Sequence, residues 1–154
     1  MFNIMVNKEE VLIASDHAGF KIKEKLKLFL KKLNIEYKDL GPFSFKKEDD
    51  YPDYAFKVAN EVVKNNSLGI LLCGSGSGMS IAANKIKGVR AAQIYDSYSA
   101  RASRADNNAN IACLRSRNFS FEKIKQLTKI WLNTEFSKEK RHIRRLNKIH
   151  NFEK

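Results

Sequence analysis

Cys73 ends an apolar run and is followed at once by three alternating glycines, in Leu71-Leu72-Cys73-Gly74-Ser75-Gly76-Ser77-Gly78. Glycine lets the backbone turn sharply and aim successive N–H groups inward, and a helix N-terminus adds positive potential. The same field favours a thiolate over a thiol, which makes Cys73 a candidate base or nucleophile. Ser75 is placed to donate a hydrogen bond to a developing oxyanion. An oxygen-rich anion and a reactive sulfur can meet here. Plainer assignments stand beside these, since an unpaired cysteine is commonly a core residue and a serine can simply complete a turn.

Other residues extend the constellation. Arg141 and Arg145 lie four apart, so on a helix both guanidiniums reach one phosphate; Arg117 is positioned to complete a three-arginine pocket. The alternative is an exposed basic helix. Asp16-His17 lies in the turn after an apolar strand, either as functional groups or as a satisfied turn. Cys113, between Ala112 and Leu114, reads as core, and His150 as surface; His142 fits anion binding or plain helix packing. No Gly-Lys-Ser/Thr follows the glycines, so they are not a nucleotide P-loop. Their spacing and place after a third strand also argue against a dinucleotide fingerprint, which only Asp96 keeps weakly open.

These residues need a scaffold, and the apolar pattern supplies one. Strands are expected at Val11–Ala14, Ile35–Leu40, Leu68–Leu72, Val89–Tyr95 and Asn110–Leu114. Between them, Ile22, Leu26, Phe29, Leu30 and Leu33 recur at helical spacing, as do Val58, Ala59, Val62 and Val63 behind a cap at Asp53. A helix is expected to open at Met79 and another to run from Ser97 to Asp106. Ser120 is expected to cap a helix whose inner face carries Phe121, Ile124, Leu127, Thr128 and Trp131. Ser137 opens a final basic helix over 138–154. Short apolar strands alternating with helices make an α/β fold with a five-stranded parallel sheet and helices on both faces. Ligands of such sheets sit beyond the carboxyl ends of the strands, where Asp16-His17, Cys73–Gly78, Asp96 and Arg115–Arg117 all fall.

The 154 residues suit a single domain over 1–154, with residues 1–10 as a leader segment. Apolar residues at 43% and charged ones at 30% mark a globular chain rather than a disordered one. No apolar run approaches the roughly 20 residues that cross a bilayer, and Met1–Val6 is too short for a signal peptide. Two cysteines forty residues apart make neither a disulfide framework nor a zinc site, so a reducing cytoplasm is expected. The net charge of +12 gathers toward the end, where twelve Lys/Arg face four Asp/Glu from Arg115 onward. That excess suits nucleic acid or a small phosphorylated substrate.

Four segments together resemble the type B ribose-5-phosphate isomerase family, which also contains allose- and galactose-6-phosphate isomerases. They are Ser15-Asp16-His17-Ala18-Gly19-Phe20, Asp50-Tyr51-Pro52-Asp53-Tyr54-Ala55, the run from Cys73 through Ala82-Ala83-Asn84-Lys85, and Arg141-His142-x-x-Arg145. They occur in family order and span about Val11 to Ile149. The resemblance implies a Rossmann-like homodimer, or a tetramer of such chains, with active sites that draw residues from two subunits. It implies Cys73 as the base moving a proton between C1 and C2 of a phosphorylated sugar. Gly74, Ser75, Gly76, Ser77 and Gly78 would hold the enediolate oxygens, with Ser75 assisting proton transfer. Asp16 and His17 would contact the sugar, Asn107 a hydroxyl, Tyr51 the pocket wall, and Arg117, Arg141 and Arg145 the phosphate. One branch of the family carries a carboxylate just after the glycine loop; Met79 stands there, which places this chain in the cysteine branch.

Aldose–ketose exchange needs a base near pKa 7 and stabilisation of an enediolate, so no metal or redox cofactor is expected. One position departs from the family. A histidine that helps open the sugar ring commonly precedes the asparagine aligned with Asn107, and here that residue is Asp106. Ring opening is therefore expected of His17, with Asp106 assisting. Hexose 6-phosphate isomerisation, a non-catalytic phosphosugar sensor and a nucleic-acid-binding module are the alternatives. The last is disfavoured because no recognition helix or aromatic RNA-binding motif is present, so neither nucleic acid nor a membrane is an expected partner.

Overall fold

Every residue of the first strand is apolar or small because both of its faces are covered. The computed structural model describes residues 10–153; of the expected leader, residues 1–9 lie outside the described residues. The elements run β1 (Val11–Ser15), α1 (Phe20–Lys32), β2 (Tyr37–Asp39), α2 (Tyr51–Asn65), β3 (Leu68–Cys73), α3 (Ser77–Ala83), β4 (Ala91–Gln93), α4 (Ser97–Ala105), β5 (Ile111–Arg115), α5 (Phe121–Leu132) and α6 (Lys140–Phe152). The strands form one parallel sheet in the order β2-β1-β3-β5-β4.

Each central strand points alternate side chains into two cores. On one face Ile13, Ile70, Leu72 and Leu114 meet Leu26 and Leu30 of α1 and Ile124, Leu127 and Trp131 of α5. On the other, Leu12, Leu71 and Cys113 meet Val58, Ala59 and Val62 of α2 and Met79 and Ala83 of α3. The connection leaving β1 runs through α1 to β2 on one side, whereas the one leaving β3 runs through α3 to β4 on the other. The crevice between β1 and β3 is therefore the switch point where such sheets take ligands.

Several element boundaries differ from the sequence expectation for physical reasons. β4 is confined to Ala91–Gln93; Gly88 turns with φ 84° just before it, and Val89 and Ile94 are buried outside the ladder. Asp50, not Asp53, stands at the N-cap of α2, because Pro52 fits the first helical turn and pulls the start forward. Ser120 does cap α5, accepting from Lys123 N at 3.2 Å. The last helix starts at Lys140, with Glu139 at its N-cap, because Lys138 takes a left-handed φ of 56°, so no helix can open at Ser137. Val63, expected inside, is 42% exposed.

The largest surprise is Lys23. Among the solvated lysines of α1 it is fully buried, and Asp39 at the end of β2 meets its Nζ at 2.6 Å. Lys27 reaches the same carboxylate at 2.7 Å, and Gly41 N donates to its other oxygen at 2.9 Å. Burial alone would push the Asp39 carboxyl up, but these donors outweigh it and hold the pKa below the ordinary value. The network fastens the edge strand to α1.

Candidate active site

Three adjacent strand ends build the floor of an open cavity of about 590 Å³. Ser15 pairs with Leu72 and Cys73 with Arg115, so Asp16, Cys73 and the segment after Arg115 come out of the sheet side by side. Ladder-like bonding continues past the strands. Asp16 N donates to Leu72 O at 3.1 Å, Ser116 N to Cys73 O at 2.9 Å, and Arg117 N to Gly74 O at 3.2 Å. Ser116 Oγ ties the third edge by donating to Ala18 O at 2.8 Å.

Cys73 lines this cavity at 4% exposure, and Gly76 N–H donates to its Sγ at 3.0 Å. Such a donor interacts more strongly with a thiolate than with a thiol. Gly76 reaches that position with φ 84°, a conformation that L side chains rarely adopt. Ser77 N donates to Ser75 Oγ at 3.2 Å, which leaves the Ser75 hydroxyl proton to point elsewhere. Gly78 admits the ring of Tyr51, whose Cζ would lie 2.8 Å from an added Cβ. The guanidinium of Arg117 lies against Gly74, about as close as a side chain there would permit. Cys113, by contrast, sits wholly in the core, and burial drives its thiol far up from its ordinary value.

Asp16 is buried and accepts from Gly19 N at 3.0 Å. Burial pushes its carboxyl up, and the Asp49 charge adds to the push, against the opposing pull of the Gly19 N–H and of His17. Beside it, His17 presents a half-exposed ring to the cavity.

The cavity thus gathers Asp16, His17, Tyr51, Cys73, Gly74, Ser75, Ser77, Gly78 and Arg117. Gly76 belongs to the same loop through its bond to sulfur. Asp106, Asn107, Arg141 and Arg145 are not brought to it within one chain. Asp106 and Asn107 follow α4, which starts at the carboxyl edge and runs back, and Arg90, just before β4, donates through Nε to Asn108 O at 2.9 Å. That places them at the opposite edge of the sheet. Asn107 lines a second cavity with Leu146 and Ile149 of α6. Arg141 pairs with Glu139 at 2.8 Å, and Arg145 is exposed one turn on. His142 is buried beneath them, 3.8 Å from both Asp106 and Glu139 carboxylates.

Sequence reasoning missed Gln93 and Asp49. Gln93 of β4 clamps the glycine loop, donating to Ser75 O at 2.8 Å and accepting from Ser77 Oγ at 3.1 Å. A lone amide ending an apolar strand was the available signal. Asp49 lay hidden in the acidic run Glu48-Asp49-Asp50. Arg115 and Asn118 also line the cavity. Among the described residues, no group of three or more His, Cys, Asp or Glu is placed to hold a metal ion, and no helix is long and apolar enough to cross a membrane.

Comparison with known proteins follows the same outline. Residues 11–149 match the Ribose/Galactose Isomerase family. A putative sugar phosphate isomerase of Bacillus subtilis is 45% identical over 145 residues, covering 94% of this chain and 97% of that one. A probable ribose-5-phosphate isomerase B of Mycoplasma genitalium is 42% identical over 146 residues, with 94% and 95% covered. Among solved structures, ribose-5-phosphate isomerase B from Mycoplasma genitalium with bound ribulose-5-phosphate superposes with a TM-score of 0.89 at 42% identity, over 94% of this chain and 95% of that one. The type B ribose 5-phosphate isomerase of Trypanosoma brucei gives 0.89 at 41%, over 94% and 99%.

Proposed function

The chain belongs to the ribose/galactose isomerase family, and from that premise we propose that it interconverts ribose 5-phosphate and ribulose 5-phosphate with Cys73 as the base. The observation that carries this reading is the Cys73 sulfur at the end of β3, open to the cavity and held by a backbone donor of the glycine loop. In the open-chain aldose, Sγ removes the C2 proton and the electron pair passes to the carbonyl oxygen as an enediolate. Sγ then delivers a proton to C1, after exchange with solvent in part of the turnovers, while Ser75 moves a proton between O1 and O2. Amides of the loop stabilise the oxyanion, each such donor contributing on the order of 3 kcal/mol. Asp16 and His17 bind sugar hydroxyls, Tyr51 forms a wall, and Arg117 meets the phosphate.

The remaining candidates come from a second copy. Asp106, Asn107, Arg141 and Arg145 face away from their own cavity, on a side that also exposes Ile143, Ile149 and Phe152. β4 is an edge strand there. A homodimer that buries this face and brings it to the partner's cavity would give Asn107 a sugar hydroxyl and the arginines the phosphate; two such dimers make a tetramer. Each chain acts as a single domain in the cytoplasm, in the non-oxidative exchange of pentose phosphates.

Hydrogen exchange from heavy water into C2 of ribose 5-phosphate tests substrate, reaction and base together. Wild type exchanges and Cys73→Ala loses about 100-fold or more, the share a placed base supplies. Equal rates in the two proteins overturn the assignment of Cys73. Allose 6-phosphate in parallel separates the pentose from the hexose reading.

A further inference from the structure

Of the three histidines, His142 and His150 belong to α6, and only His17 lines the cavity. Its surroundings are built with unusual care for a surface turn. Asp49 Oδ1 lies 2.7 Å from His17 Nδ1 and also accepts the His17 backbone N–H at 2.9 Å. One carboxylate oxygen therefore fixes both the main chain and the ring of the same residue. The Asp49 side chain is only 6% exposed, and its second oxygen is buried without a hydrogen-bond partner. Burial, then the nearby Asp49 charge and a side-chain hydrogen bond to Asp49, push the Tyr54 phenol up, so Tyr54 packs beside the same carboxylate.

Burying a carboxylate is costly, so its retention in this loop asks for a return. We propose that Asp49 is a positioning residue for sugar-ring opening: it holds His17 with the proton on Nδ1, so that Nε2 alone is left to exchange a proton with the furanose. An ionised carboxylate accepts only, so Nδ1 must donate to it and Nε2 must carry the lone pair. In the step itself, Nε2 takes the proton from O1 and C1=O forms. The C1–O4 bond breaks with its electron pair on O4, and the imidazolium returns the proton there. Ring and open-chain forms differ by nothing else, so no co-reactant is needed. The loop that carries Asp49 is itself anchored, since Gly41 bonds Asp39 and Gly41 O accepts from Ser15 N at 3.0 Å.

This inference rests on the proposed phosphopentose substrate, and the test separates the two. Ribulose 5-phosphate cannot close a furanose because its 5-hydroxyl is esterified, so solvent exchange at its C1 bypasses ring opening. Asp49→Ala and Asp49→Asn are compared with wild type for that exchange and for turnover starting from ribose 5-phosphate. In Asp49→Ala, turnover from ribose 5-phosphate falls about thirtyfold or more, within the contribution of a placed acid–base group, while exchange falls by no more than about threefold. Asp49→Asn, which keeps an oxygen acceptor, falls less than Asp49→Ala on the ring substrate. Parallel losses on both substrates would mean a merely structural role, and no loss on ribose 5-phosphate would mean that His17 needs no orienting; either result overturns the proposal. If wild type exchanges neither substrate, the phosphopentose reading itself fails, and this inference with it.

Discussion

Two inactive chains should make one active enzyme, if the far-edge residues serve a partner's cavity. The perturbation is a pair of variants, Cys73→Ala and Arg141→Ala/Arg145→Ala, carried on separately tagged chains and co-expressed. Within one chain the two groups stand at opposite edges of the sheet: α4, about 13 Å long over its nine residues, runs from the carboxyl edge back to Asp106, which lies beside His142 of α6. No side-chain motion inside one protomer closes that gap together with the reversal of direction. Removing two charge-assisted bonds to phosphate, at about 1.5 kcal/mol each, lowers kcat/KM about 150-fold. Loss of the base lowers it about 100-fold or more. In the doubly tagged mixed dimer one site carries both lesions and the other carries neither. Its isomerase activity per dimer, followed from ribose 5-phosphate, is therefore about half that of wild type, against about 1% or less for either parent. A mixed dimer as inactive as its parents refutes the shared site. So does full activity in the arginine variant alone, which would remove α6 from phosphate binding.

Two further perturbations follow from the packing. Asp39→Ala leaves Lys23 buried beside only the more exposed Glu24, and should cost about 3–5 kcal/mol in a urea titration, whereas Lys23→Met, which removes the charge and keeps the volume, costs much less. The same pair governs the acid limb: burial raises and the lysine bonds more than offset it, so Asp39 and Glu24 lie below their ordinary values. Their contribution is present above the unfolded values and is lost as pH falls through the folded ones. Asp16, raised chiefly by burial, has the opposite sign: its contribution is present below the unfolded value and lost as pH rises through the folded one. A stability–pH profile of Asp39→Asn should therefore fall less steeply in acid than that of wild type. Gly78→Ala sets a Cβ 2.8 Å from Tyr51 Cζ. Because Tyr51 is partly exposed it can swing out, so the melting temperature should hold while KM for the sugar phosphate rises about tenfold or less.

The centre of the sheet and its two cores were legible because a strand covered on both faces must be apolar throughout, and β1, β3 and β5 are such runs, while the edge strands β2 and β4 are short and only partly buried. The glycine loop was legible for a related reason: a backbone folded back on a sulfur needs residues without side chains at fixed places. Lys23 was not legible. Its burial depends on Asp39, sixteen residues away on a strand whose position the helical pattern does not encode. Asp49 was hidden in the same way, because within Glu48-Asp49-Asp50 nothing local says which carboxylate turns inward. The boundaries that moved, at Asp50 and at Lys138, were set by single residues with fixed or unusual φ rather than by hydrophobic period.

Asp106 shows a different limit. A residue type at a position states what chemistry is available, but not which copy of the chain receives it. Within one protomer this carboxylate lies 3.8 Å from the buried imidazole of His142, at the foot of the helix that presents Arg141 and Arg145. Moving a proton at a furanose from this place needs a group that can both accept and donate near neutral pH, which a carboxylate does poorly and an imidazole does well. The family resemblance implies an imidazole at this position of the sequence, and here the residue is Asp106. The imidazole that remains at the cavity is His17, oriented by Asp49 from within the same chain. In the proposed dimer, ring opening and isomerisation would then draw on one protomer, and the partner would hold only the phosphate and a hydroxyl. On that division Asp106→Asn in the assembled enzyme changes turnover from ribose 5-phosphate far less than Asp49→Ala does; the reverse order would return ring opening to the partner subunit.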